Sequence, residues 1–445
     1  MSAAPDTLAS LDARARNKEA RKVIFSSYLG STIEFYDFLL YASASALVFP
    51  YVFFTDLDPL AGTIAAYGTF AAGYLARPLG GAVFGHFGDR LGRKKMLIIS
   101  MLIMGIASTL IGLIPSAAVI GSWGAVVLIA LRVCQGIAVG GEWGGAALMA
   151  LEHSVKGKRG FAASFTNAGA PTGAALGTFV LGLFAAMPEE QFLSWGWRVP
   201  FLLSVLLLAV GVFVRSQVSE SPIFRAALAK EAAEGPTARR KVPIVEVLRR
   251  PRALIFTMLA GASGFALQVF LATFAVAYAV ERGADRQPVL YAFALASVLS
   301  VFFVVGMGRL SDQLGRRPVM VVGLALFIAL IFPMVSWLAT GNVLLIFATF
   351  TIGLACHAAI YGPLAAFIAE QFGTSSRYTG ASLGYQFATL IGAGFTPTIL
   401  ASIYASSGQA IAPVVWYLAG MAVVSAVFIL LTRESKDFDL ENHEH

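Results

Sequence analysis

Charge is what this chain has least of. Only 13% of its 445 residues are Asp, Glu, Lys or Arg, against 58% hydrophobic, whereas a soluble domain carries about 25% charged residues. So small a supply cannot cover a water-facing surface, which excludes an ordinary soluble protein. Cysteine is nearly absent: Cys134 and Cys356 are the only two, both within apolar runs, too few for a disulfide framework or a thiolate metal site. The chain has no phosphate-binding loop, no metal-ligand cluster and no nucleophile elbow, so neither an enzyme nor a bound cofactor or metal is expected. The first 22 residues are polar, without the apolar core of a secretory signal.

What the chain does have is apolar runs of about 20 residues, the length that crosses a bilayer, recurring from end to end. In lipid only helices or a closed barrel satisfy the backbone, and these runs are too long and too unbroken for barrel strands. The reading is an all-α polytopic membrane protein with twelve transmembrane helices, near 23–50, 61–85, 96–114, 122–150, 160–186, 198–215, 252–280, 288–308, 319–338, 342–370, 378–403 and 411–432. With the N-terminus inside, 27 of the 32 Lys and Arg residues fall on inside segments, so both termini are expected in the cytoplasm. That bias explains the net charge of +7 without a nucleic-acid partner.

The longest polar interval, 216–251, divides the spans six and six. GHFGDRLGRKK at 85–95 is matched by GRLSDQLGRRP at 308–318, an offset of 223, and EHSVKGKR at 152–159 by EQFGTSSR at 370–377, an offset of 218. Two landmarks at nearly one offset predict two pseudo-symmetric six-helix bundles, 23–215 and 252–432, between a tail (1–22), the linker and a second tail (433–445). In the repeated loop Gly85 and Gly92 permit a tight turn, Asp89 can accept hydrogen bonds from a helix N-terminus, and Arg90 and Arg93 suit headgroups. Asp312, Gly315 and Arg316 repeat these features. Such loops act as latches or merely anchor topology. Glu152 with Arg159 and Glu370 with Arg377 are expected as gate pairs at the inner rim.

Charges inside spans are costly and must face protein or water. At 1.5 Å per residue Glu34 lies about 17 Å from the cytoplasmic edge and Arg132 about 15 Å from the outer edge, the same depth. Ser27, Glu34, Asp37 and Tyr41 share an arc of roughly 80°, and Arg132, Gln135 and Glu142 share a similar one, so two polar stripes are expected to face a common interior. A carboxylate whose arginine partner turns instead to an anionic solute takes up a proton, which makes Glu34, Asp37, Arg132 and Glu142 candidates for proton coupling. A static ion network is the other reading. Arg77, about 12 Å from the edge, reaches the interior or the headgroups. Spans of the second half carry no charge away from their ends, leaving Gln268, His357, Tyr361, Tyr385 and Gln386 as its candidate contacts, beside Tyr41, Arg77, Arg132, Gln135 and Asn167 in the first half. A lone His such as His357 can equally be a packed, hydrogen-bonded residue.

The loop at 85–95 resembles the signature of the major facilitator superfamily, whose role there is to hold the bundles together on the cytoplasmic side. E-F-Y-D (34–37), R-P-L-G-G (77–81), G-G-E-W-G-G (140–145) and S-W-G-W-R-V-P (194–200) resemble its metabolite:proton symporter family. Leu128 to Gly136, L-x-x-x-R-x-x-Q-G, is similar to the span 4 motif which that superfamily associates with proton transfer. The resemblance implies a monomeric symporter in a bacterial inner membrane that takes up a small organic acid with protons. Known relatives carry shikimate, 2-oxoglutarate, citrate, proline or betaine, so a zwitterionic osmolyte is an alternative cargo. A non-transporting sensor or scaffold is the alternative from another class, with no interval long enough for an output domain.

Overall fold

The computed structural model describes residues 5–91, 93–140, 157–216, 251–372 and 377–436, with side chains described outside 5–24, 82, 85–94, 97 and 377–378. Glu142, Glu152, Gly92 and most of the linker therefore lie outside the described residues, and Gly85, Asp89, Arg90, Arg93 and Arg377 are described in backbone alone.

Nine of the described helices are long and apolar enough to cross a membrane. In chain order with the three that precede them they are α1 (Pro5–Leu47), α2 (Pro59–Leu91), α3 (Arg93–Leu113), α4 (Trp123–Gly140), α5 (Arg159–Ala185), α6 (Glu189–Ser216), α7 (Pro251–Glu281), α8 (Arg286–Leu314), α9 (Arg316–Leu338), α10 (Val343–Glu370), α11 (Thr379–Ser406) and α12 (Ala412–Leu431). Prolines 78, 171, 333 and 363 sit inside helices without ending them, because neighbouring helices and local adjustments satisfy the freed carbonyls. In α6 and α11 the ladder slips into one π-turn, at Phe192–Gly196 and Leu390–Gly394.

The packing repeats with a period of six helices. α1 packs on α5 as α7 does on α11; α2 on α4 as α8 on α10; α3 on α4 and α6 as α9 on α10 and α12. The two sets meet along α5 with α8 and α10, and along α2 with α11. Residue types follow the solvent expected of a membrane: Phe213, Phe302, Val322 and Trp416 face outward, while arginines, carboxylates and amides are turned in. An apolar groove between α7, α11 and α12 is lined by Leu259, Trp416 and Met421. Its Ser425 is already bonded to the Leu259 carbonyl at 2.6 Å, so it offers no chemistry.

Two sequence features receive a structural reason. A Cβ on Gly136 or Gly140 would fall on the α2 backbone, at the Gly73 and Arg77 carbonyls, so these glycines let α4 lie directly against α2. In the 194–200 segment Trp197 is fully buried among Phe49, Phe53 and Phe201. Arg198 beside it donates to the Gly112 carbonyl at 3.0 Å and also to that of Ile114, fastening α6 to the end of α3.

Candidate functional site

The candidate contact and coupling residues of the spans, where described, are buried. Glu34, Asp37, Tyr41, Arg77, Arg132, Gln135, Asn167, Gln268, His357, Tyr361, Tyr385 and Gln386 are each at most 6% exposed. Arg77 therefore does not extend to the headgroups. Its guanidinium lies 4.2 Å from the ring centres of both Phe38 and Tyr74.

The helical repeat places Glu34, Asp37, Phe38 and Tyr41 on one face of α1, and the four side chains meet two different groups of partners. Asp37 points into the first bundle, where Ser204 of α6 donates to its Oδ1 at 2.7 Å and Ser108 of α3 comes up beside it. Arg132 of α4 is the cation acting on it. That guanidinium is caged by aromatic faces, 4.0 Å from the centre of Phe38, 4.3 Å from Tyr41 and 4.9 Å from Phe70. It donates to Gln135 Oε1 at 3.1 Å, and Gln135 donates onward to Ser108 Oγ at 2.6 Å. A chain of polar contacts thus runs from Arg132 through Gln135 and Ser108 to Asp37. Tyr41 closes the cage, its hydroxyl 2.5 Å from that of Thr69. The stem of Arg132 lies on the bare Cα of Gly73, where a Cβ would stand 2.8 Å from its Nε.

Glu34 points the other way, toward the second set of helices. The cations acting on it are Arg77 and Arg215, and the hydroxyls of Tyr361 and Tyr385 lie within its field. The sequence places Glu34 and Arg132 at one depth; in the structure Arg132 packs one turn further along α1, on Phe38 and Tyr41, and reaches Asp37 through Gln135 and Ser108. Arg215, counted from sequence among the basic residues of the inner segments, is buried against Gly30 of α1.

The second bundle contributes neutral groups. The Tyr361 and Tyr385 hydroxyls stand 3.5 Å apart, both rings meeting Phe265 edge-on. His357 stacks on Tyr361 with centroids 5.0 Å apart, and its Nδ1 lies 3.0 Å from the Gly264 carbonyl. Two of the contacts that cross between the bundles lie here: Asn167 Nδ2 donates to the Tyr361 carbonyl at 2.8 Å, and Gln386 Nε2 to that of Gly140 at 3.2 Å. Gln268 is buried one turn beyond Gly264 on α7.

A separate polar cluster lies where α8 turns into α9. Asp312 accepts from the backbone N–H groups of Gly160 and Phe161, both at 2.8 Å, and so caps α5 across the bundle boundary. Arg316 pairs with Asp312 at 2.7 Å and with Glu370 at 3.2 Å, and Gly315, at φ +106°, makes the turn between them. Glu370 is thus engaged by Arg316, with Arg159 also acting on it; the expected partner Arg377 has its side chain outside the described residues. Two groups the sequence reading missed complete the cluster. Glu434 accepts from the N–H groups of Arg316 and Arg317 at 2.9 Å each, and Ser435 donates to Glu370 at 2.6 Å.

Phe38 and Tyr74 were also missed, although Phe38 falls on the same α1 stripe as Glu34 and Tyr41. An aromatic in an apolar span reads as packing until the cations on its faces are seen.

The chain is 41% identical over 423 residues, 93% of its length and 94% of the other's, to the inner membrane metabolite transport protein YhjE of Escherichia coli K12. It is 38% identical to the shikimate transporter of that strain, over 94% of this chain and 95% of the relative, and 32% identical to its proline/betaine transporter, over 95% and 85%. Among solved structures it shares a fold with the proton:xylose symporter XylE bound to 6-bromo-6-deoxy-D-glucose, at a TM-score of 0.73 and 17% identity over 96% of this chain and 98% of that one. The profile described as Major Facilitator Superfamily matches residues 35–385 and 290–443. With this match and these relatives, the chain belongs to the major facilitator superfamily.

Proposed function

We propose that this protein is a proton-coupled symporter that imports a small organic acid by alternating access. The observation that carries the reading is the placement of two carboxylates and two arginines, Glu34, Asp37, Arg77 and Arg132, in the buried centre of the first bundle, with Glu34 turned toward Tyr361 and Tyr385 of the second. The Phe38 ring lies between both guanidiniums, 4.2 Å from Arg77 and 4.0 Å from Arg132. Aromatic faces attract a cation without neutralising it, so each guanidinium keeps the capacity to bind an anion.

The coupling follows from charge balance. A solute carboxylate that engages Arg77 competes with Glu34 for it, and a similar competition links Arg132 to Asp37. The carboxylate that loses its cation in a poorly solvated site takes up a proton, so anion and proton load together. The potential contributes about 2.3 kcal/mol per net charge per 100 mV, so accumulation depends on how many protons accompany the anion. Rocking of units 23–215 and 252–432, joined by the linker 216–251, along the α5–α8 and α2–α11 seams would expose the site to each side. The reading takes the protein as a monomer in a bacterial inner membrane with both termini in the cytoplasm, where the bias of Lys and Arg supports that orientation and the Asp312, Arg316 and Glu370 cluster would serve as a cytoplasmic gate. By the repeat, Asp89, Arg90 and Arg93 with Gly85 and Gly92 serve as the matching gate, joined by Glu152 with Arg159; Glu142 extends the proton route.

A zwitterionic osmolyte is the second reading, favoured by the aromatic group of Phe265, Tyr361 and Tyr385, whose rings suit a cationic end. Uptake into proteoliposomes under an imposed inward proton gradient decides between them, with labelled shikimate, 2-oxoglutarate, proline and betaine in parallel. Accumulation of a carboxylate that vanishes when the gradient is collapsed supports the symporter. Equal accumulation without a gradient removes the coupling, and accumulation of betaine alone removes the organic acid.

A further inference from the structure

We propose that the cargo carries hydrogen-bond donors, hydroxyl or N–H, which seat on His357 Nε2 and Asn167 Oδ1 at the end of the site away from the arginines. The inference rests on the reading above that this cluster is the solute site, and it narrows the solute's chemistry.

His357 is 1% exposed, and its Nδ1 lies 3.0 Å from the Gly264 carbonyl. A carbonyl only accepts, so the proton of this contact is on Nδ1, and in the neutral ring that tautomer leaves Nε2 as a lone-pair acceptor. Among the described residues Nε2 has no partner. Stacking on Tyr361 holds the ring next to a tyrosine that lies in the field of Glu34 and Arg77, which ties the imidazole to the charged half of the site. Asn167 repeats the pattern. Its Nδ2 is committed to the Tyr361 carbonyl at 2.8 Å, and its Oδ1, in a side chain 1% exposed, has no partner among the described residues. Gln386 is alike, with Nε2 on the Gly140 carbonyl and Oε1 unpaired.

Among the unpaired atoms the guanidiniums offer donors, Arg77 Nε and Arg132 Nε and Nη2, with Asp37 Oδ2 beside them, whereas His357, Asn167 and Gln386 offer acceptors. A carboxylate answers only the first group. Buried acceptors remain costly until a donor reaches them, so the solute that fits both ends is an acid bearing hydroxyl or N–H groups. A quaternary ammonium has no such hydrogen.

The test uses solute pairs that differ in donors alone, competing with gradient-driven uptake of labelled shikimate and labelled proline into proteoliposomes. One pair is shikimate and cyclohex-1-ene-1-carboxylate, with the same ring and carboxylate but no hydroxyls in the second. The other is proline and N,N-dimethylproline, with the same ring and carboxylate but no N–H in the second. In the wild-type protein the donor-bearing member of each pair should compete roughly tenfold to a hundredfold better, because its partner leaves buried acceptors unpaired. His357→Phe, which keeps a stacked ring without an acceptor, should draw that ratio toward one, and His357→Gln, which keeps an amide oxygen, should retain most of it. Equal competition within both pairs overturns the inference, as does an unchanged ratio in His357→Phe. If that variant does not fold, the wild-type ratios decide. Accumulation indifferent to donors sinks this inference alone, whereas no gradient-driven accumulation of shikimate, 2-oxoglutarate, proline or betaine sinks the symporter reading and this inference with it.

Discussion

The two bundles share one packing plan and differ in chemistry. α1, α2 and α3 pack on α5, α4 and α6 as α7, α8 and α9 pack on α11, α10 and α12. Yet the centre of the first holds Glu34, Asp37, Arg77 and Arg132, and the corresponding part of the second holds Gln268, His357, Tyr361, Tyr385 and Gln386. At the turn between α8 and α9 the second set carries charge of its own, in Asp312, Arg316 and Glu370. The contrast teaches that a duplicated fold needs its small residues and seams in both copies, while ionisable groups, each costly to bury, stay only where they act.

The sharpest way to break the comparison is to remove charge from the first bundle. Arg132→Ala and Arg132→Lys should both cut gradient-driven uptake by about 100-fold or more. An ammonium cannot lie flat against Phe38, Tyr41 and Phe70 while bonding Gln135. Near-normal uptake in the Lys variant would mean that the cage is incidental.

Next in size is the charge of the second bundle. Glu370→Ala leaves Arg316, 1% exposed, without its second carboxylate. Loss of one partner from a buried pair costs about 3–5 kcal/mol. A fall in the melting temperature of purified protein should accompany faster thiol labelling of a cysteine placed near Gly160. An unchanged melting temperature would show that Asp312 and Glu434 suffice.

Seams should respond less. Gly136→Val sets a side chain on the Gly73 carbonyl and pushes α4 from α2, an overpacking cost of about 1–3 kcal/mol, and uptake should fall with stability because Arg132 shifts with α4. The smallest effect is expected from Tyr385→Phe. The ring stays edge-on to Phe265 without its hydroxyl, so uptake should change by less than roughly threefold, as for a neutral hydrogen bond. A large loss there would move essential chemistry into the second bundle and undo the contrast.

How far the sequence carried this account depends on the range of each interaction. Spans, the repeat and the α1 stripe were legible because bilayer thickness and the 3.6-residue period act locally. Asp312 as a helix cap was legible by analogy, since the reading of Asp89 as an acceptor for a helix N-terminus describes what its repeat does at Gly160 and Phe161. Pairing was not legible. Which side chains of α1 Arg132 packs on, and that Arg316 reaches Glu370, depends on rotations of whole helices that no single-span pattern records. Arg215 misled because a cation at a span's end is expected at the headgroups, whereas here α6 brings it inward against Gly30. Glu434 and Ser435 were passed over as tail, with nothing local to show that they return to α9 and α10.

The most direct test of the central claim is the ratio of gradient-driven accumulation to solute counterflow in Glu34→Gln/Asp37→Asn, measured in the same proteoliposomes. The account predicts that accumulation disappears while counterflow persists, because the arginines still bind the anion but no carboxylate is left to load the proton. Accumulation at the wild-type level in that double variant would contradict it.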